Sequence, residues 1–107
     1  NLLHWDEIKE TDAVETYVYF LNAVMDEFII KAETMPGMKR AFNFAEKHRA
    51  IGLGVLGYHS LFQSKLIEFD SIQAKGLNAQ IFSTIKDRSE IASRKLHKEH
   101  GYTSLRS

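Results

Sequence analysis

The sequence contains no cysteine among its 107 residues and a single proline. Without cysteine the chain has no disulfide, no thiolate zinc site, no iron–sulfur cluster, no thiyl radical and no cysteine nucleophile. Lys and Arg number 14, Asp and Glu also number 14, and the formal net charge is +0, so no positive excess drives nonspecific binding to nucleic acid. These absences exclude thiol chemistry and predict no nucleic-acid partner.

The sequence also lacks a long apolar run, since none reaches the roughly 20 residues that a helix needs to cross a bilayer. Residues 1–10 show neither a basic leader nor the hydrophobic core of a signal peptide. We therefore expect no membrane partner and a cytoplasmic location. The length suits one domain, and residues 1–107 are interpreted as a single helical domain or fragment.

Charge is unevenly distributed along the chain despite the zero total. Residues 1–35 hold eight acidic and two basic residues, whereas residues 36–107 hold twelve basic and six acidic residues. One interpretation is that the two parts attract each other. The other is an anionic ligand bound by basic residues of the second part, with Arg40, Lys47 and Arg49 as candidate anion-binding residues beside Lys39 and His48.

Hydrophobic residues recur at steps of three and four between Asp12 and Thr34, which is the period of an amphipathic helix. Pro36 and Gly37 end this helix. No stretch alternates with period two, so the sequence predicts an all-α fold, a small bundle of about four helices. The predicted helices are about 12–34, 38–48, 55–66 and 71–100, the last with Gly101 as its left-handed C-cap.

Phe20 widens the apolar face that Tyr17, Leu21, Val24 and Phe28 form on the first predicted helix. A helix that is apolar over much of its circumference packs against partners on two sides. In a small bundle other helices of the chain could supply both contacts, and in a larger host the second contact comes from the host.

Three glycines, Gly52, Gly54 and Gly57, interrupt the apolar stretch 50–56 and satisfy the G-x-G-x-x-G pattern of dinucleotide-binding folds. That fingerprint must follow a buried strand, which the charged helical residues before it do not provide, so we predict no cofactor. Two structural interpretations stay open. A neighbouring element approaches the backbone closely, or a turn needs positive φ before the next helix.

No group of residues in the sequence resembles a catalytic or metal site. His97 and His100, with Glu99 nearby, could begin a metal site, but two histidines do not complete a coordination shell. His59 and Ser60 are adjacent, and adjacent residues on a helix point in different directions. We therefore predict no catalytic, cofactor-binding or metal-ligating residue in this chain.

The run 48–57, HRAIGLGVLG, resembles a signature stretch of the large, catalytic α subunit of ribonucleotide reductase. Further similar blocks follow in the same order without gaps, and the opening residues with the first predicted helix also resemble the preceding segment of that family. The resemblance thus covers nearly the whole chain. The later blocks are 68–71, 74–75, 77–78, 80–82, 84–85, 92–93, 96, 98–99 and 101.

The resemblance implies an internal helical fragment of an enzyme that reduces ribonucleotides to deoxyribonucleotides by radical chemistry inside an α/β barrel. The fragment would lie outside the barrel, and Gly52, Gly54 and Gly57 would let helices approach it closely. The family's radical-bearing cysteine and reducible cysteine pair have no counterpart here. We expect a scaffold role, with the remainder of the subunit as partner, and no activity from the isolated chain.

A different hypothesis is a noncatalytic helical interaction module. Such a module would bury its surplus apolar face in a homodimer or against another protein. This hypothesis needs no reductase host, and the oligomeric state of the chain tests it.

Overall fold

The computed structural model of the chain describes residues 1–100, apart from the side chain of His100. These residues form helices and connections and contain no strand, so the predicted all-α class is confirmed. The predicted C-cap Gly101 lies outside the described residues. The elements are a short 3₁₀ helix (Leu2–His4), α1 (Trp5–Ile8), α2 (Ala13–Glu33), α3 (Lys39–His48), α4 (Tyr58–Ser64) and α5 (Ile72–His100).

The bounds of α2, α3 and α5 lie within one residue of the predicted ranges 12–34, 38–48 and 71–100. The remaining range, 55–66, was wrong at both ends, because α4 covers only Tyr58–Ser64. Gly57 stands before α4 with φ of 79° and Leu66 follows it with φ of 55°. Both are left-handed backbone conformations, which a right-handed helix cannot continue through.

The core lies between the first eight residues, α4 and α5. Trp5, Leu61, Phe62 and Ile81 are each at most 1% exposed, and Leu2 is 2% exposed. Burying a large apolar side chain stabilises a fold by about 1.5–3 kcal/mol, so this cluster is the main source of stability. Half-buried side chains that pack around it are Ile8, Tyr58, Ile67, Leu77 and Ile85.

Arg88 on α5 joins the corner between α1 and α2 to the long helix. Its guanidinium donates hydrogen bonds to the backbone oxygens of Lys9, at 2.6 Å, and Thr11, at 3.0 Å. Glu15 lies 3.9 Å from the same side chain. These hydrogen bonds pair the carbonyl groups at the end of α1 and in the turn after it, which would otherwise need a further helical turn as partner.

The molecule is elongated. Its principal extents are 52 × 29 × 21 Å, and the radius of gyration is 17.2 Å, whereas a compact chain of this length has about 13 Å. The 29 residues of α5 account for much of the length, since a helix rises about 1.5 Å per residue. None of the helices in the described part combines the length and apolar character needed to span a membrane.

Candidate packing surface

One face of α2 carries large apolar side chains that the rest of the described residues cover only in part. Tyr17, Phe20, Val24 and Phe28 are separated by steps of three, four and four residues, which places them along one side of the helix. Tyr17 and Phe20 are 59% and 61% exposed. We call these four residues the α2 stripe. The neighbouring side of the helix buries Val14, Val18 and Ala32 instead.

The glycine segment, residues 50–57, has no regular secondary structure and is held at its end by the first residues of the chain. The backbone N–H of Leu2 donates a 2.7 Å hydrogen bond to the carbonyl oxygen of Leu56. A Cβ at Gly57 would overlap the side-chain oxygen of Asn1 and lie 3.1 Å from the backbone nitrogen of Leu3. Both interpretations of the glycine motif therefore hold at Gly57, since a neighbouring element approaches its backbone closely and its φ is positive.

Gly52 and Gly54 differ from Gly57. Neither has positive φ, and a Cβ at either position would meet nothing within 4 Å. Within this chain, these two positions could therefore hold alanine without strain. Leu53 and Val55, which alternate with the two glycines, are 37% and 41% exposed.

An open apolar groove of about 220 Å³ separates the glycine segment from α1 and the start of α2. Tyr17 of the α2 stripe lines it, so the groove and the stripe are continuous. The indole N–H of Trp5, another lining residue, is buried and has no hydrogen-bond acceptor among residues 1–100. The remaining lining residues are Asn1, Leu2, Ile8, Ala13, Val14, Leu53, Gly54, Val55, Leu56 and Ile85.

Arg49 joins the end of α3 to α2. Its guanidinium donates a 2.9 Å hydrogen bond to the side-chain oxygen of Asn22 and forms a hydrogen-bonded ion pair with Asp26. Arg49 is the left-handed C-cap of α3, with φ of 47°, and its N–H donates to the Ala45 carbonyl at 2.9 Å. The contact fixes where the glycine segment begins relative to α2.

The three candidate anion-binding residues therefore lie in different surroundings. They are Arg40, Lys47 and Arg49. Arg40 and Lys47 are exposed and seven residues apart, which puts them on one face of α3. The Arg49 side chain already has a carboxylate partner in Asp26, with which an added anion would compete. The anion site stays a prediction.

Asp6 of α1 is paired with two lysines. Lys65, after α4, lies 2.8 Å from one carboxylate oxygen, and Lys9 lies 3.2 Å from the other. Hydrogen bonds from Lys65 and then Lys9 hold the pKa of Asp6 below its ordinary value of 3.8. Together with Asp26–Arg49, the Asp6–Lys65 pair joins the acidic first part of the chain to the basic second part.

The residues considered for metal or nucleophilic chemistry are not brought together. Within residues 1–100, no group of three or more His, Asp or Glu side chains is placed to hold a metal ion. His59 lies beside the Phe69 ring, with ring centroids 6.1 Å apart. Asn22, Asp26 and Trp5 are the contact residues that sequence reasoning missed. The charge imbalance between the two parts was the signal that pointed to acid–base contacts such as Asp26–Arg49.

The family model described as "Ribonucleotide reductase, barrel domain" matches residues 2–105. The chain therefore belongs to this ribonucleotide reductase family. Within the family it matches a helical fragment of the large subunit, which confirms the resemblance seen in the sequence.

Individual relatives support the same assignment. The putative ribonucleoside-diphosphate reductase large subunit of Frog virus 3 is 40% identical over 102 residues, covering 94% of this chain and 18% of the relative. The large subunit of Invertebrate iridescent virus 6 is 40% identical over 89 residues, covering 82% of this chain and 9% of the relative.

A solved structure extends the match to three dimensions. The Actinobacillus ureae class Id ribonucleotide reductase alpha subunit superposes with a TM-score of 0.93 and 48% sequence identity. The match covers 98% of this chain and 20% of that subunit. The chain thus spans a tenth to a fifth of the length of these relatives.

Proposed function

We propose that the chain is a scaffold segment of a ribonucleotide reductase large subunit, which takes part in ribonucleotide reduction only together with the rest of that subunit. The observation that carries the proposal is the superposition of 98% of the chain on one fifth of a class Id alpha subunit. The remaining four fifths of that subunit is the natural partner for surfaces that this chain leaves open.

The α2 stripe is the first such surface. Tyr17, Phe20, Val24 and Phe28 each remain between 36% and 61% exposed. Because full burial of a large apolar side chain is worth about 1.5–3 kcal/mol, covering the half that is still exposed would contribute roughly 1 kcal/mol for each residue. The groove beside Tyr17 extends this surface toward the glycine segment.

The glycine segment is the second surface. Gly52 and Gly54 are not needed by the conformation of this chain, since both have open space and neither has positive φ. Glycine at these two positions would be needed if another element of the subunit lies against the backbone, because a side chain there would keep that element away. This supports the scaffold interpretation of the glycine motif.

The chain does not supply the reactive groups. It contains no cysteine, and the resemblance places the radical and reducible cysteines of the family in other parts of the subunit. We therefore expect no deoxyribonucleotide from the isolated chain in the presence of a reductant and a radical-generating partner. Measured turnover would contradict the proposal.

A chimera gives the positive test. In the Actinobacillus ureae alpha subunit, this chain replaces the segment it matches, and the chimera is assayed for folding and ribonucleotide reduction. We expect a folded, active subunit, and Phe20→Ser to lower its unfolding midpoint. The matched control is Lys75→Ser, an exposed polar position on α5, which should change little. A chimera that aggregates with native Phe20 would contradict the proposal.

A homodimer is a second candidate, favoured by the same exposed α2 stripe. Light scattering coupled to size-exclusion chromatography of the isolated chain distinguishes the two. A dimer that Phe20→Ser converts to monomers supports the interaction module, and a monomer at all concentrations opposes it. For either role we propose a cytoplasmic location. We also propose no nucleic-acid partner, which the formal net charge of +0 supports.

A further inference from the structure

The end of α4 is built as a Schellman motif, the hydrogen-bonded turn that closes many helices. The N–H of Ile67 donates to the carbonyl of Phe62 at 3.0 Å, and the N–H of Leu66 donates to that of Gln63 at 3.1 Å. The residue between helix and loop in this motif adopts left-handed backbone angles and is most often glycine. Here it is Leu66, with φ of 55°.

A leucine at this position is strained, because its Cβ lies too close to the following carbonyl oxygen. Its side chain is also 91% exposed, so the rest of the described chain offers it almost no compensating contact. Arg49, the other non-glycine residue with positive φ in residues 1–100, behaves differently. Its guanidinium is largely buried against Asn22 and Asp26, which offsets the strain.

Two further large apolar side chains lie nearby, Phe69 in the connection between α4 and α5 and Ile72 at the start of α5. Phe69 is 62% exposed and Ile72 is 88% exposed. The Phe69 ring is anchored on its inner side by Tyr58 and Phe62, with ring centroids 5.9 and 5.7 Å away. We call Leu66, Phe69 and Ile72 the corner patch. None of its members lines the groove beside the α2 stripe.

We infer that the corner patch is a docking surface separate from the α2 stripe, covered by an apolar surface of the remainder of the large subunit, with Leu66 as its anchor. The inference rests on the proposed scaffold function. A strained backbone conformation persists where a contact depends on the side chain at that position. Residues 1–100 supply almost no such contact for the side chain of Leu66.

The remainder of the subunit fits as occupant better than a second copy of the chain. A second copy in a twofold dimer would cover both surfaces only if a single interface contained both the corner patch and the α2 stripe. The related class Id subunit has four fifths of its length outside the matched segment. A body of that size can cover both surfaces of a molecule 52 Å long.

The decisive variant is Leu66→Gly, because its effect should change sign with context. In the isolated chain, glycine relieves the left-handed strain and should raise the unfolding midpoint by about 4 °C. In the chimera with the Actinobacillus ureae subunit, the lost anchor should lower the midpoint instead. A rise in both contexts would overturn the inference.

Ile72→Ser provides a matched variant without backbone strain, since Ile72 is the first residue of α5. It should leave the isolated chain unchanged and lower the midpoint of the chimera. If Phe20→Ser destabilises the chimera but Leu66→Gly and Ile72→Ser do not, the scaffold function stands and the corner patch is wrong. If the chimera does not assemble, both are wrong.

Chemical labelling tests the same point without relying on cooperative unfolding. Leu66→Cys introduces the one cysteine of the isolated chain, and peptide-level mass spectrometry follows its alkylation in the isolated chain and in the chimera. We expect at least tenfold slower alkylation in the chimera, with Lys86→Cys, at an exposed position of α5 far from Ile72, equally fast in both. Equal rates at position 66 in the two contexts would overturn the inference.

Discussion

The short helix α4 and the long helix α2 use their apolar residues in opposite ways. With only seven residues, α4 buries Leu61 and Phe62, each to 1% exposure. With 21 residues, α2 buries Val14, Val18 and Ala32 and leaves the whole α2 stripe open. The stability of the isolated molecule therefore depends on its shorter helix, and the longer one carries the exposed apolar surface for which we propose a contact with the remainder of the subunit.

The largest expected difference between the two regions comes from truncating phenylalanine. Phe62→Ala should lower the free energy of unfolding by about 3–5 kcal/mol, because a buried ring is replaced by a cavity. Phe20→Ala, on the α2 stripe, should change it by no more than about 0.5 kcal/mol in the isolated chain. Urea unfolding followed by circular dichroism measures both. Equal losses would show that the stripe is packed within the chain.

The glycines allow a similar comparison inside one motif. Gly57→Ala should cost the isolated chain about 2 kcal/mol, because alanine is strained at φ of 79° and its methyl group would displace the side chain of Asn1. Gly52→Ala should leave stability unchanged or raise it by about 0.5 kcal/mol, since it only restricts the unfolded chain.

The chimera described above should reverse the result at Gly52. There an added methyl group would separate the glycine segment from the element packed on it, and the unfolding midpoint should fall. If Gly52→Ala has no effect in the chimera, the glycine segment is not part of the scaffold surface. The proposal for the α2 stripe would be unaffected.

Much of this architecture could be predicted from local patterns. The three- and four-residue period of α2 and its stop at Pro36 and Gly37 gave bounds within one residue of those observed. The fourth helix was predicted too long because Val55, Leu56 and Leu66 continue its apolar pattern. Hydropathy does not report the left-handed backbone at positions 57 and 66 that ends the helix on both sides.

The surfaces were harder to predict because they depend on contacts between distant residues. Trp5 is 1% exposed, yet residues 1–8 are too few to show a helical period. The hydrogen bond between Leu2 and Leu56, which closes one side of the groove, joins positions that no local pattern connects. The three glycines look equivalent in sequence, and only the structure separates Gly57 from the other two, by its positive φ and by the position of Asn1.

Arg49 tests whether the α3 end is held by its side chain or by its backbone. Arg49→Ala should cost about 1–2 kcal/mol, since it removes the contacts with Asn22 and Asp26 and keeps a residue with a Cβ in a left-handed conformation. Arg49→Gly should cost about 1 kcal/mol less, because glycine relieves the strain. Thermal unfolding of both variants beside Asp26→Asn measures the difference. Equal values for alanine and glycine would mean that backbone strain is negligible there.

The smallest expected effect is at Asp6, the ion pair that joins α1 to the residue after α4. Because Lys65 and Lys9 lower the pKa of Asp6 in the folded state, the charged carboxylate favours folding above the ordinary value of 3.8. That contribution should disappear as the pH falls through the lowered pKa, where the carboxylate takes up a proton. Unfolding midpoints measured between pH 2 and pH 7 should therefore fall less steeply with acid for Asp6→Asn than for the native chain. The side chain is exposed, so salt should reduce this difference. Identical pH profiles would mean that the pair with Lys65 does not hold the two elements together.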